Sequence, residues 1–233
     1  MTMKKINEQE IQDLYKFTRA HFVEHFDVQT ELVDHLANDI EAIWQEDPNL
    51  TFVEARDRSF KKFGVFGFMD MYETRKNTLI KKYFKILWRF MKEWFKIPKI
   101  VLTSLIFIIY YTGLESIYSD YIYKISLITI VIFAVAKGIY LIHKIKKKQS
   151  KQGKKWLLED IIYKGTFFNG IMLYVHLHNL ITLGGYDNSD LYFSLTFSSI
   201  FTLLIIWIHL SLNVLPKNSE ELLEEQYPEY KLV

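Results

Sequence analysis

The chain has 233 residues, 50% of them hydrophobic and 16% aromatic, and its formal net charge is +2. It contains no cysteine, which excludes disulfides, thiolate metal sites and cysteine nucleophiles. The net charge is small, but the charged residues are unevenly distributed along the chain. A charged N-terminal third precedes four long apolar stretches.

Residues 1–67 are predicted to form a small cytosolic bundle of helices. The first 30 residues contain no unbroken apolar core, so we expect no signal peptide and a cytosolic N-terminus. Side chains at helical spacing define one face in each of two segments, namely Ile11, Leu14, Tyr15, Thr18 and Phe22, then Leu32, Val33, Leu36, Ile40, Ile43 and Trp44. A bundle of about 60 residues is marginal as an independent core. We therefore expect it to lean on the next helix or on the membrane.

The third helix of this bundle has recognisable ends. Pro48 ends the second helix, and Thr51 and Glu54 then have the spacing of a capping box, in which each side chain bonds the other residue's backbone N–H. Gly64 is well placed to follow the last turn, where a left-handed residue is common.

Residues 68–96 are predicted to form a basic amphipathic helix beside the membrane. Its apolar stripe comprises Ile80, Tyr83, Phe84, Leu87, Met91, Trp94 and Phe95. The residues expected to contact the membrane surface are Lys81, Lys82, Lys85, Arg89, Lys92, Trp94 and Lys96. An aromatic face opposite a basic face suits an interfacial helix, because anionic headgroups attract nearby Lys and Arg. The alternative is that the stripe packs on the first three helices, and both interpretations are compatible in different halves of the helix. Nucleic acid is not an expected partner, since membrane topology already explains the basic residues.

Four transmembrane helices are predicted within residues 97–215. Their approximate bounds are 97–118, 122–142, 156–183 and 191–215, and each meets the requirement of about 20 mostly apolar residues for crossing a bilayer. Residues 216–233 follow as a cytosolic tail with a short acidic stretch. The predicted fold class is therefore all-α, a small helical bundle and a basic helix followed by a four-helix transmembrane bundle.

The orientation of these spans follows from the distribution of Lys and Arg in the connections. Arg75–Lys99 and His143–Lys155 are rich in Lys and Arg, whereas Glu115–Lys124 and Gly184–Asp190 are acidic. Basic and acidic connections alternate, as two membrane hairpins require. We therefore predict a multi-pass protein of the cytoplasmic (inner) membrane with both termini in the cytosol.

One segment of the N-terminal third resembles a known kind of module. Val28–Gly64 contains the run Glu31-Leu-Val-Asp-His-Leu36, then Ile40-Glu41, then Phe52, Glu54, Ala55, Phe63 and Gly64. This pattern resembles the cytosolic prefix domains of some bacterial permeases and sensory membrane proteins, and it is similar to HAAS-type accessory signalling domains. The resemblance implies a helical module that regulates or couples a membrane domain. The chain departs from the permease members because four spans, and no large transport domain, follow.

Two clusters of polar residues invite a binding hypothesis. Glu31, His35 and Asp39 share a helical face and have the residue types of a metal site, but such a face is more often a solvated or domain-packing edge. We therefore predict no metal and no cofactor, and take Glu31, Asp34 and His35 as a candidate face for a protein partner.

The second cluster lies within the predicted spans. The candidate intramembrane polar site comprises Asn169, His176, His178, Asn179 and His209. A shared haem is not expected, because at 1.5 Å per residue His209 lies roughly 15 Å in depth from the other two histidines. The polar side chains are explained either as interhelical hydrogen bonds or as a cavity for a small ligand, proton or ion.

Three functional hypotheses follow. The favoured one is a non-enzymatic regulatory or accessory membrane protein, whose helical module is coupled to the spans and binds a protein partner or a second copy of the chain. The alternative is a small transporter or channel subunit that uses the polar faces of the third and fourth spans. A membrane enzyme is the third, and it lacks a catalytic motif.

Overall fold

The computed structural model describes residues 4–165, 191–227 and 230. These residues are helical almost throughout and include no β-strand, which confirms the predicted all-α class. They form two compact units. The first unit comprises the described residues up to Lys81 together with Gly153–Leu157, and the second comprises Lys82–Gln152 and the described residues from Leu158 onward.

The first unit is built on three helices and the start of a fourth. These are α1 (Glu8–Ala20), α2 (Phe26–Glu46), α3 (Phe52–Lys61) and α4 (Met69–Trp94), which passes into the second unit at Lys82. The fully buried side chains of its core include Leu14, Leu32, Leu36 and Ile40, which lie on the faces that helical periodicity predicts. The prediction for Phe22 is wrong, because α1 ends at Ala20 and Phe22 follows it with 86% of the residue exposed.

The predicted capping box opens α3. The Glu54 N–H donates to the Thr51 hydroxyl at 3.3 Å, and the Glu54 carboxylate accepts from the Thr51 N–H at 2.9 Å. Both contacts give a hydrogen-bond acceptor to a backbone N–H group that would otherwise be left to water at the start of the helix. A second capping box, formed by Asn7 and Glu10, opens α1.

We expect acid to weaken the first unit through this cap. Hydrogen bonds from the Thr51 side chain and backbone lower the pKa of Glu54 below its ordinary value of 4.5. The folded state therefore favours the ionised carboxylate, so the stabilisation is complete above pH 4.5 and is lost as the pH falls through the lower folded-state pKa. Hydrogen exchange at the α3 amides should lose protection over that acid range, and should do so less in Glu54→Gln. The same loss of protection in both chains would contradict this role of Glu54.

A distant stretch of chain completes the first unit at the start of α2. The Phe26 N–H donates to the Lys155 carbonyl at 2.7 Å, and the Leu157 N–H donates to the Asp27 carboxylate at 3.0 Å. The Trp156 ring is fully buried and meets the Phe26 ring edge-on at 5.4 Å between centroids. The unit therefore extends beyond the predicted limit at residue 67, because three short helices alone enclose too little apolar surface.

The second unit contains the C-terminal part of α4 and the remaining helices. They are α5 (Lys99–Leu114), α6 (Ser119–Gln152), α7 (Leu157–Asp160), α8 (Leu191–His209) and α9 (Ser219–Gln226). A π-helical turn, Ile161–Gly165, follows α7, and α8 continues through a π-helical turn, Leu210–Val214, to Lys217.

Three of these helices meet in one apolar cluster. It consists of Tyr110 and Leu114 of α5, Leu127 of α6, and Phe197 and Phe201 of α8. The Tyr110 and Phe201 rings stack with centroids 3.9 Å apart. α5 and α6 approach closely, since a Cβ atom on Gly113 would lie 3.2 Å from Ile122. The cluster fixes α5, α6 and α8 side by side.

Two segments, Lys124–Gln152 and Ser194–Lys217, are long and apolar enough to cross a membrane. The pair α4 and α5 also passes this test, but the two helices are bent by 87° at the break between them, so the described residues contain two or at most three candidate spans. These helices are what a membrane protein requires. The predicted third span lies mostly outside the described residues.

The observed helix bounds differ from the predicted ones at two places. α5 has only 16 residues, about 24 Å at 1.5 Å per residue, so it is shorter than the predicted span of residues 97–118. It is also not continuous with the basic helix, because the chain breaks and turns before Lys99. α6 continues past residue 142 through most of the predicted Lys-rich connection and ends at Gln152, before Gly153, whose φ is +67°.

Candidate functional site

The first unit contains a groove where α2, the end of α3 and the start of α4 come together. Its volume is about 410 Å³. The residues that line it are His35, Asp39, Ser59, Lys62, Phe63 and Met71. The groove thus combines two apolar side chains with a set of polar ones, the composition found at many binding surfaces.

The polar residues of the groove differ in how well they are satisfied. Lys62 of the α3 terminus lies 2.6 Å from the Asp39 carboxylate of α2. Both side chains are partly exposed, so this pair adds little to stability. The Ser59 hydroxyl is buried and has no hydrogen-bond partner within the part of the chain that the structure describes. A buried hydroxyl without a partner is costly.

A loop with exposed apolar side chains lies between Phe63 and Met69. It follows Phe63, which is one of the residues that line the groove. Gly64 and Gly67 both have positive φ, +75° and +54°, a conformation that glycine adopts without strain. Two large apolar side chains stand between them in solvent, with exposed fractions of 98% for Val65 and 72% for Phe66.

The loop is fixed at both ends by aromatic packing. The Phe63 and Phe68 rings meet edge-on with centroids 4.9 Å apart, and both contact Phe60. A Cβ atom on Gly67 would lie 3.1 Å from the Phe60 ring, so this position also requires the small residue. Val65 and Phe66 are thus exposed on a loop whose two ends are held in place by ring packing. Exposed apolar surface of this kind often marks a site of interaction with another molecule.

The predicted partner face divides between these features. Only His35 lines the groove, while the Glu31 carboxylate lies 3.5 Å from the Arg75 guanidinium of α4. Asp34 is exposed beside them. The face of Glu31, His35 and Asp39, for which no metal is predicted, contacts cations at both ends, since Glu31 meets Arg75 and Asp39 meets Lys62. The described residues include no cluster of three or more His, Cys, Asp or Glu that fits a metal ion.

The residues predicted to contact the membrane surface occupy two environments. Five are exposed on α4 or just after it, namely Lys81, Lys85, Arg89, Lys92 and Lys96. Lys82 instead donates to the side-chain carbonyl of Gln226 in α9. Trp94 donates to the Thr103 hydroxyl at 3.1 Å and packs on the His209 ring at 5.2 Å between centroids. Lys82 and Trp94 therefore take part in the packing of the second unit.

The predicted intramembrane polar site lies largely outside the described residues. This applies to Asn169, His176, His178 and Asn179. The fifth member, His209, is placed at the C-terminal end of α8 beside Trp94.

Sequence reasoning missed a charged cluster at Lys148 in the second unit. The Lys148 ammonium lies 3.0 Å from the Glu159 carboxylate, 3.2 Å from that of Glu220, and donates to the Tyr230 hydroxyl at 2.7 Å. Glu159 is fully buried, and burial raises the pKa of the Tyr230 phenol. Only the acidic character of the C-terminal stretch signalled this contact in the sequence.

Comparison of the chain with protein-family models, curated proteins and solved structures finds no match. The resemblance of Val28–Gly64 to prefix and HAAS-type modules therefore stays a prediction that rests on its own residues.

Proposed function

We propose that the chain is a regulatory or accessory membrane protein without catalytic activity. In this proposal the first unit lies in the cytosol and binds a protein partner, and the second unit anchors it in the cytoplasmic membrane through four spans. The observation on which the proposal rests is the groove at His35 together with the exposed loop Gly64–Gly67.

The surface has the features of a site for a protein rather than for a small molecule. Val65, Phe66 and Met69 project into solvent, and a small ligand has no use for apolar side chains outside a pocket. Interfaces between proteins combine an apolar centre, rich in aromatic residues and Met, with a polar rim. Phe66 and Met71 supply the former, and the pair formed by Asp39 and Lys62 supplies the latter. The expected partner offers apolar side chains to the loop.

The contacts within the second unit support the predicted orientation. Glu220 of α9 meets Lys148 near the end of α6, and Gln226 of α9 meets Lys82 of α4. Phe84 of α4 also packs on Trp207 near the end of α8. The basic end of α6, the basic helix α4 and the C-terminal helix thus meet at one end of this unit. A cytosolic location for that end satisfies the preference of Lys and Arg for the inner side of a membrane.

A transporter or channel subunit is the second candidate. The observation that favours it is a row of buried hydroxyls on α8, at Ser194, Ser198 and Thr202, which have no hydrogen-bond partner in residues 4–165 and 191–227. Polar groups within a membrane mark pathways in many transporters. A flux of solute or ions that Thr202→Val abolishes would favour this candidate over partner binding.

Photocrosslinking tests the partner surface directly. We expect a photoreactive phenylalanine analogue in place of Phe66 to form one discrete protein adduct in native membranes, because Phe66 is exposed and lies three residues after Phe63, which lines the groove. Met71→Asp in the same chain places a charge in the groove and should weaken binding of the partner. A loss of about 1.4 kcal/mol of binding free energy would reduce the yield of the adduct about tenfold.

The matched control is the same analogue in place of Phe22. Phe22 is also an exposed phenylalanine of the first unit, with 86% of its side chain accessible, but it does not line the groove. Equal adducts from both positions, or an adduct from Phe66 that Met71→Asp leaves unchanged, would contradict the proposed surface. The mass of the adduct distinguishes a second copy of the chain from another protein.

A further inference from the structure

The second unit exposes a helix face on which cations and aromatic rings lie side by side. This cationic–aromatic face comprises Lys85, Trp88, Arg89, Lys92, Phe95 and Lys96, at the end of α4 and just after it. All six side chains are exposed, and the accessible fraction of Trp88 is 57%. The Lys92 ammonium lies 6.0 Å from the centre of the Trp88 ring.

The rings of Trp88 and Phe95 are only partly covered by protein, with 57% and 37% of the two residues exposed. The helix already buries a different apolar stripe, formed by Tyr83, Leu87 and Met91. Residues 83, 87 and 91 follow one another at steps of one turn, whereas Trp88 lies about 100° further round the helix. Protein therefore buries Tyr83, Leu87 and Met91 of the predicted stripe, whereas Phe95 of that stripe and Trp88 outside it stay exposed.

The direction of α4 fits a membrane surface. α4 and α5 meet at 87°, and α5 exposes apolar side chains such as Val101, Leu105 and Ile109, which suit contact with lipid tails. With α5 directed through the bilayer, as the four proposed spans require, α4 runs along its surface. The cationic–aromatic face ends at Lys96, three residues before α5 begins at Lys99.

We infer that the cationic–aromatic face rests on anionic phospholipid headgroups of the leaflet from which α5 enters the bilayer. Lys85, Arg89, Lys92 and Lys96 face the phosphates, and Trp88 and Phe95 enter the interfacial region, where aromatic rings are favoured. Such a helix binds through its apolar side chains and through attraction to anionic lipid together. The inference rests on the proposed membrane spans but not on the partner groove, because it involves residues of the second unit alone.

Spin labelling of the full chain in nanodiscs tests this surface. Since the protein has no cysteine, Trp88→Cys provides a single attachment site, and Asn38→Cys on the exposed surface of α2 provides the control. In nanodiscs of phosphatidylcholine and phosphatidylglycerol, the label at position 88 should be more accessible to oxygen than to an aqueous nickel chelate. The label at position 38 should show the reverse. Phosphatidylcholine alone should weaken the protection at position 88.

Two sets of substitutions test whether contact with anionic lipid is what protects the label at position 88 from the nickel chelate. Replacing Lys85, Arg89, Lys92 and Lys96 with Gln should raise nickel accessibility at position 88 at least twofold in the anionic nanodiscs. Replacing four exposed cations of the first unit, Lys5, Lys16, Arg58 and Lys61, should leave it unchanged, although the net charge changes equally. Nickel accessibility at position 88 equal to that at position 38 would overturn the inference, because position 88 would then face water in the nanodisc. Protection that the first set does not alter would overturn the assignment to anionic lipid.

Discussion

Lys148→Met is expected to lower the free energy of unfolding of the second unit by about 3–5 kcal/mol, the range for removing one member of a buried ion pair. The Lys148 ammonium lies 3.0 Å from the carboxylate of Glu159, whose side chain is fully buried. Methionine fills a similar volume but has no charge, so the carboxylate is left without its cation. Reversible unfolding in mixed detergent micelles measures the change.

The same substitution should loosen the C-terminal helix. Lys148 also contacts Glu220 of α9 and the Tyr230 hydroxyl, so one residue of α6 links two later segments of the chain. We expect faster hydrogen exchange in α9 of the variant.

A double substitution separates the charge effect from a packing effect. Lys148→Met with Glu159→Met removes both charges and should recover most of the lost stability, because a buried pair replaced by apolar residues of similar volume is often neutral. Lys147→Met removes an exposed charge of the same helix and should change stability by no more than about 0.5 kcal/mol. A double variant as unstable as Lys148→Met alone would contradict the ion-pair explanation.

Local sequence signals predicted the helices of the first unit well. The core positions Leu32, Leu36 and Ile40 followed from periodicity, and the start of α3 followed from the spacing of Thr51 and Glu54. In each case the physical cause lies within a few residues of the chain, so that the pattern alone determines the structure.

The Lys-rich segment after residue 142 is predicted as the connection between two spans, without a prediction of its helical structure. Charge led to that prediction, but Lys is a good helix former, and no Gly or Pro interrupts the segment before Gly153. α6 therefore continues to Gln152. The bend before α5 was also missed, because the apolar stretch that begins at Ile97 continues through Pro98 and does not reveal a change of direction.

The candidate sites depend on contacts between distant segments, which one sequence does not specify. His35 was singled out from its helical face, but Ser59, Lys62 and Met71 join it from α3 and α4. In the Lys148 cluster, the partners lie at positions 159, 220 and 230. The periodicity of α4 does not assign a role to Trp88, because this residue lies outside the predicted apolar stripe. Its exposure is apparent only in the structure, where Tyr83, Leu87 and Met91 are buried and Trp88 is not.

A second prediction concerns the side of the membrane on which each segment lies. If the proposed topology is correct, Ile117→Cys, in the turn after α5, lies outside the cell. Lys147→Cys of α6 and Asn38→Cys of α2 lie in the cytosol. The three side chains are exposed, so each thiol is accessible to a reagent on its own side of the membrane.

Labelling with a membrane-impermeant maleimide in bacterial spheroplasts determines the side of the membrane on which each thiol lies, because the chain has no cysteine of its own. We expect the thiol at position 117 to react in intact spheroplasts and those at 38 and 147 to react only after permeabilisation. Reaction of positions 117 and 147 from the same side, or of position 38 in intact spheroplasts, would contradict the proposed topology.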